Sequence, residues 1–346
     1  MRGSLDVTPA RPEDLAEISR LIEATFGDDL PAEFLKPAFL NWKFFASRPG
    51  WGGPRSFVIR DEDRIVAHAC VWPTLFECGR AEVRASHLID WLAAPSVPGA
   101  GIAVYQHLMR LSGTVVAIGG SPQARKLLPR IGFKPYGRLD TYARVIRPWQ
   151  QFTSRPHGAA WREAARLGRN ALWSLVQLPE PEGGWSTEPA GRAGELPAAA
   201  VQTFWVGRRS AEQLNYLLDC PAAACKYYRL VKNGSPRGYF LLNSVDGQCR
   251  IIAVQVDSDD PRDWRSAYRA SARTAAELTP TCEITAASAL PWLGEMLEQD
   301  GFRKRGEKPI VLYDPDGRLA DAAPLHVQMI DSDAFFLYGK SYPFVT

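Results

Sequence analysis

The second half of this 346-residue chain restates the order of the first. YRLVKNGSPRGYFLL echoes FVIRDEDRIVAHACV, each reading as a hairpin; CRIIAVQV stands where HLIDWLAA stood; TCEITAAS echoes TVVAIGGS; and LPWLGEMLEQDGFRKRG echoes ARKLLPRIGFKPYG. ELPAAAVQTF likewise echoes the amphipathic DLAEISRLIEATF. The offset stays nearly constant from Arg64 and Arg237 to Gly132 and Gly301. A diverged internal duplication is the economical explanation, with two unrelated α/β domains as the alternative. The length suits two domains of about 150 residues each.

A chain that is 46% apolar and 11% aromatic can fill two cores, which excludes a disordered protein. Its net charge of +3 lacks the dense basic footprint of nucleic-acid binding, so no nucleic-acid partner is expected. MRGSLDVTPARPEDLAEI holds no apolar stretch of signal-peptide length, and nowhere does an uncharged apolar run approach about 18 residues. The expectation is a cytoplasmic protein. Six cysteines without a C-x-x-C read as free buried thiols, and five scattered histidines without metal-ligand spacing predict no metal.

Residues 1–147 predict a strand near Leu5, a helix over residues 11–26, a hairpin turning at residues 61–64, and a third strand. A helix carrying Ile102, Tyr105, Leu108, Met109 and Leu111 follows, then the buried strand TVVAIGG, a helix capped by Ser121, and a last strand over residues 141–146. Residues 148–189 read as a connector: the helix AAWREAARLGRNALWSLV, then LPEPEGGWSTEPAGRAGELP, which has the composition of an exposed linker. Residues 190–346 make the second lobe and its tail. The connector helix sets Trp161, Ala164, Leu167, Ala171, Leu172 and Leu175 against Arg162, Arg166 and Arg169. Packing of that apolar face between the lobes is the simpler expectation; peripheral membrane contact through residues 159–177 is the other.

The chemistry concentrates in DWLAAPSVPGAGIAVYQHLM, residues 90–109. A strand running through a Gly-rich loop into a helix start points several backbone N–H groups into one volume, aided by the positive end of the helix dipole. Such a nest binds pyrophosphate. Gly99 and Gly101 let the backbone approach the ligand without a Cβ in the way.

This order of elements, with Pro95 six residues before the Gly101-x-Ala103 pair and a later helix ending in Gly132-Phe133, resembles the GNAT superfamily of acyl-CoA-dependent N-acyltransferases. The family fingerprint is Arg/Gln-x-x-Gly-x-Gly/Ala at a helix start; here Pro98 stands in the leading place and Gly101-x-Ala103 fits. The resemblance covers residues 5–146 and, more faintly, residues 190–315. It implies an α/β fold of two GNAT-like lobes, each a mixed, mostly antiparallel sheet flanked by helices.

The resemblance further implies a strand splayed open at residues 91–94, where Trp91, Leu92 and Ala93 hold the pantetheine arm. The loop amides of Gly99, Ala100, Gly101, Ile102 and Ala103 would take the pyrophosphate. Residues 101–150 hold eight Lys or Arg against one acid, and of these Arg125 and Lys126 would meet the nucleotide phosphates. Asp90 takes the place of base or amine anchor. His87 is the second candidate, facing the opposite side if the strand is regular. The tyrosine that often serves as general acid four residues before the Gly-Phe pair is Leu128 here; Tyr105 and Tyr136 read as core or strand-edge residues.

The second half has no glycine between Gly247 and Gly294, and its matching segment VDSDDPRDWR carries acids that repel pyrophosphate. It reads as a degenerate, non-catalytic lobe covering the acceptor side of the first. In the tail, Asp331 and Asp333 are candidates for binding an amine or sugar hydroxyls. The expected function is transfer of an acetyl or other short acyl group from coenzyme A, without metal, to a primary amine of a small molecule. The alternatives are a degenerate ligand- or protein-binding module and an acyltransferase acting on an amino sugar in polysaccharide assembly.

Overall fold

The computed structural model describes residues 5–27, 30–154, 159–197, 201–319, 323–337 and 343–346, without the side chain of Ala334. The first lobe runs β1 (Val7–Pro9), α1 (Leu15–Phe26), α2 (Pro37–Phe44), β2 (Ser56–Asp61), β3 (Arg64–Cys78), β4 (Ala81–Ala93), α3 (Ala100–Ser112), β5 (Thr114–Ile118), α4 (Pro122–Leu127) and β6 (Lys134–Val145). Helices α5 (Pro148–Thr153) and α6 (Ala160–Ser174) follow. The second lobe runs β7 (Trp185–Ala190), β8 (Trp205–Arg208), α7 (Ala211–Leu218), β9 (Ala224–Lys232), β10 (Ser235–Val245), β11 (Gln248–Val256), α8 (Pro261–Glu277), β12 (Glu283–Ser288), α9 (Pro291–Gln299) and β13 (Arg303–Tyr313), with β14 (Leu325–His326) in the tail.

Four sequence expectations change. Helix α2 was not foreseen; Pro37 opens it at the first position, where its missing N–H costs nothing. The supposed linker holds β7, paired antiparallel with β9 from Trp185 to Ala190, because Trp185 buries its ring in the second core. The described part of ELPAAAVQTF is not helical; the second lobe's early helix is α7, started by the Ser210–Gln213 capping box. Strand β6 begins seven residues earlier than residue 141, its front half being paired with β13.

Among the described residues the strands form one sheet in the order β1-β2-β3-β4-β5-β13-β6-β12-β11-β10-β9-β7. The order is a near palindrome. With β8 and β14 set aside, since they join the sheet off this order, β8 pairing with β3 and β14, each lobe has six strands, and the fourth and fifth run parallel, β4 with β5 and β11 with β12. The sixth strands are exchanged: β13 lies antiparallel between β5 and β6, and β6 lies antiparallel between β13 and β12. Each lobe's last strand therefore completes the other's sheet, which is the pseudo-twofold pattern a duplication would give.

Two cores sandwich the first lobe's sheet. Helix α3 packs one face through Val104, Tyr105 and Leu108. Helices α1 and α2 pack the other together with α7, β9, β10 and the tail residues Phe335 and Phe336, so this core belongs to both lobes. Trp42 of α2 stacks on Tyr216 of α7 at 5.0 Å, which brings the second lobe against the helix that bounds the site.

Helix α6 overturns the expectation that its apolar face packs between the lobes. Trp161, Leu172 and Leu175 are 70%, 67% and 76% exposed, whereas Glu163 and Asn170 face inward. Asn170 donates to Gln151, which donates to Glu283 and to Thr346, and this buried polar chain holds the helix polar side in. No helix of the described residues is long and apolar enough to cross a membrane.

Candidate active site

Strands β4 and β5 pair only at Ala85 with Thr114 and Ser86 with Val115, and then part. Beyond that point Trp91, Leu92 and Ala93 pair only on their β3 side, if at all, leaving the opening the sequence implied. His87 spans the gap: its Nδ1 lies 2.8 Å from the Val116 carbonyl. A carbonyl can only accept, so Nδ1 carries the hydrogen. Burial pushes the ring's pKa below its ordinary 6.5, so the imidazole is neutral and Nε2 keeps a free lone pair.

Asp90 sits at φ 49°, in the left-handed region that aspartate tolerates better than most residues. The β3–β4 register shifts there, with His68 opposite Leu92 and Cys70 opposite Ile89. This bulge adds a residue to β4 and re-aims the side chain. The expectation that His87 and Asp90 face opposite sides is thereby corrected: across the bulge Ile89 and Leu92 enter the same core, and His87 and Asp90 both feel Asp333 on that side. Buried His68 holds the bulge, donating from Nδ1 to the Asp90 carbonyl at 3.1 Å and accepting from Ser56 at Nε2 over 2.8 Å. Its pKa, pushed down to about 3 by burial, keeps that tautomer neutral.

The cavity, about 500 Å³, passes through the sheet at the opening. Leu88, Tyr105, Ala117 and Leu128 of the α3 core line one end; Ile22, Phe34, Phe39, Leu40 and Ile89 of the α1–α2 core line the other. At the second end lies an ion cluster that sequence reasoning missed. Lys43 Nζ is 2.6 Å from Asp90 and 3.3 Å from Asp333, with side-chain exposures of 4%, 10% and 15%. Phe39, Phe44 and Phe336 surround the ammonium at 5.4 to 5.8 Å. Arg55 anchors the end of α2, donating to the carbonyls of Lys43 and Ala46 at 2.7 and 2.9 Å. Burial pushes the Asp90 carboxyl up against the pull of Lys43, and the two carboxylates hold Lys43 protonated above its ordinary value.

Helix α3 begins beside the opening. Gly99 is its N-cap at φ 94°, a conformation that suits glycine. Ala100 and Ala103 donate to Val97 and Gly99, while the amides of Gly101 and Ile102 have no hydrogen-bond partner among the described residues. Gly101 is required by packing: a Cβ there would stand 3.0 Å from that of Ala93 and 3.3 Å from Trp91 Nε1, which donates to the Gly101 carbonyl at 2.7 Å. Arg125 and Lys126 are exposed on α4, whose Ala124, with Ser121 before it, lines the cavity. Leu128 lines the cavity without a phenol; Tyr105 also lines it, its ring tilted at 39° against Trp91 with centroids 4.2 Å apart.

Of the two tail carboxylates only Asp333 reaches the cavity. Asp331 is not a cavity residue: it is buried against Arg209, and its second oxygen accepts from the Gln328 amide at 2.8 Å. The tail there turns as short 3-10 helices, so a spacing of two does not keep both on one side. In the second lobe the equivalent openings are filled from within. Gln328 accepts from the Val254 amide at 2.7 Å, just past the matching bulge in β11, and Asp260 caps α8 by accepting from the Arg262 amide at 2.9 Å. Among the described residues no group of three or more His, Cys, Asp or Glu is arranged to hold a metal.

No protein-family model and no curated protein sequence matches the chain. Solved structures do. A GCN5-related N-acetyltransferase from Anabaena variabilis ATCC 29413 matches with TM-score 0.56 and 14% identity, over 92% of this chain and 75% of that one. N-myristoyltransferase of Saccharomyces cerevisiae, solved with myristoyl-CoA and inhibitors, matches with TM-score 0.58 and 12% identity, over 91% and 81%. A tandem GNAT protein from the clavulanic acid biosynthesis pathway matches with TM-score 0.55 and 12% identity, over 90% and 98%. The chain has the two-lobe GNAT fold.

Proposed function

We propose that the first lobe transfers an acyl group from coenzyme A to a primary amine. One observation carries this reading: a helix start with two amides unpartnered among the described residues packs on Trp91, a wall of the cavity that also holds His87 and the Asp90–Asp333 pair. The Gly101 and Ile102 amides would take the pyrophosphate, with Arg125 and Lys126 near the nucleotide. The open edge of β4 at residues 91–93 would hold the pantetheine arm and polarise the thioester carbonyl. Similarity in fold to N-myristoyltransferase, solved with myristoyl-CoA bound, supports the same assignment.

His87 Nε2 accepts a proton from the acceptor ammonium, which Asp90 and Asp333 orient. The amine nitrogen bonds to the thioester carbon and the carbon–sulfur bond breaks; of the two protons the nitrogen loses, the one taken by His87 goes to the departing thiolate and the other to solvent. A thiol is a good leaving group, so Leu128 in place of a phenol is compatible with turnover. The second lobe, its own openings closed by Gln328 and Asp260, acts as a non-catalytic wall.

Isothermal titration with acetyl-CoA and with free coenzyme A tests the cofactor half. Micromolar binding is expected, weakened at least about tenfold in Pro98→Asp, which sets a carboxylate beside the free amides at an exposed position. Turnover of amines, followed by thiol release, should fall in His87→Gln and Asp90→Asn with acetyl-CoA binding kept. Because burial holds His87 below 6.5, kcat/KM should be flat at neutral pH and decline only at lower pH, as the base takes up a proton. Binding without turnover of any amine would instead identify a ligand-binding module.

A further inference from the structure

The acceptor half of the cavity has an unusual composition, and it narrows the substrate. Among the described residues, two carboxyl groups, Asp90 and Asp333, share one buried ammonium, Lys43, in an apolar enclosure, while the cation acting on His87, Lys308, is exposed with its stem on Gly119. A cationic ligand completes that balance. Among the described residues, and Lys43 aside, the α1–α2 side of the wall is hydrocarbon apart from Thr25. Ile22, Phe34, Phe39 and Leu40 supply hydrocarbon, and the Thr25 hydroxyl already donates to the Leu21 carbonyl at 2.7 Å. Phe26 carries the apolar lining out to solvent at 46% exposure, giving a rim along which a chain can extend.

We infer that the acceptor is an amphiphilic primary amine, its ammonium between Asp90 and Asp333 and its hydrocarbon body against the α1–α2 wall. A sugar in that place would bury hydroxyls without partners, so the amino-sugar alternative is disfavoured. The inference rests on the acyl-transfer reading above.

The test uses the full chain with acetyl-CoA and a series of n-alkylamines from butylamine to dodecylamine below their aggregation limits. Thiol release is measured, after titration has established acetyl-CoA binding. Each added methylene buried against the wall should raise kcat/KM about threefold, mostly through KM, until the chain reaches the rim. Phe26→Asp should reduce the gain for the longest amines, and glucosamine should be a far poorer acceptor than hexylamine. A flat response along the amine series with acetyl-CoA bound would overturn the inference and leave acyl transfer standing. So would a rate that climbs with acyl length at fixed butylamine, which would give the wall to the acyl chain. Failure to bind acetyl-CoA at all would remove the underlying reading and the inference with it.

Discussion

Lys43 is the residue on which the site's electrostatics turn. An ammonium with 4% exposure is stable there only because two carboxylates meet it, and removing it strands both. Lys43→Met should therefore cost about 3–5 kcal/mol at pH 7, read by urea unfolding. In that variant the Asp90 carboxyl, already pushed up by burial, loses the pull of Lys43 and titrates above its unfolded value, so the folded state takes up a proton first and the deficit shrinks as pH falls toward 5. A deficit that grew on acidification would contradict this arrangement. Asp90 and His87 were legible because they precede a Gly-rich loop in strand-like sequence. Lys43 was not, since it lies in a stretch without motif and meets Asp333 across 290 positions. The shared face of His87 and Asp90 was hidden for another reason: a one-residue bulge reverses the alternation on which strand reasoning depends.

At the scale of elements, α6 inverts the ordinary rule. Periodicity shows that a helix is two-sided, but the side that turns inward is chosen by what it meets, here the Gln151–Glu283–Thr346 chain. Substitutions should follow the inversion. Leu172→Ser and Leu175→Ser should change stability by no more than about 0.5 kcal/mol, as exposed positions do. Asn170→Leu, apolar and similar in size, should cost about 1–3 kcal/mol by leaving the Gln151 side-chain oxygen without its donor. Thermal unfolding of the three variants would decide it, and the opposite ranking would mean that the helix is turned the other way in solution. Strand β7 was missed on similar grounds: Pro, Gly and Glu mark an exposed segment, and an edge strand is one.

For the whole molecule, the repeated order of elements was visible in sequence, and the exchange of the last strands was not. Two copies of one pattern offer each sixth strand two equivalent neighbours, so sequence similarity is the same whether β6 and β13 stay home or trade places. The trade makes the lobes inseparable. Expressed alone, residues 1–147 lack the strand that belongs between β5 and β6, and the fragment should be insoluble or oligomeric. Coexpression with residues 148–346 should recover a soluble complex, and the intact chain should unfold in one transition by calorimetry. A monomeric, cooperatively folded 1–147 fragment would refute this.

The exchanged strands also carry a history. Fusing the two subunits of a strand-swapped homodimer end to end would leave this palindromic sheet, with residues 148–184 as the join. Once fused, the halves were free to drift apart. One half has an open passage through its sheet, while the other is closed around Gln328 and lends Asp333 to its neighbour. The ancestor would have had two identical sites, and its descendant has one site built from both copies.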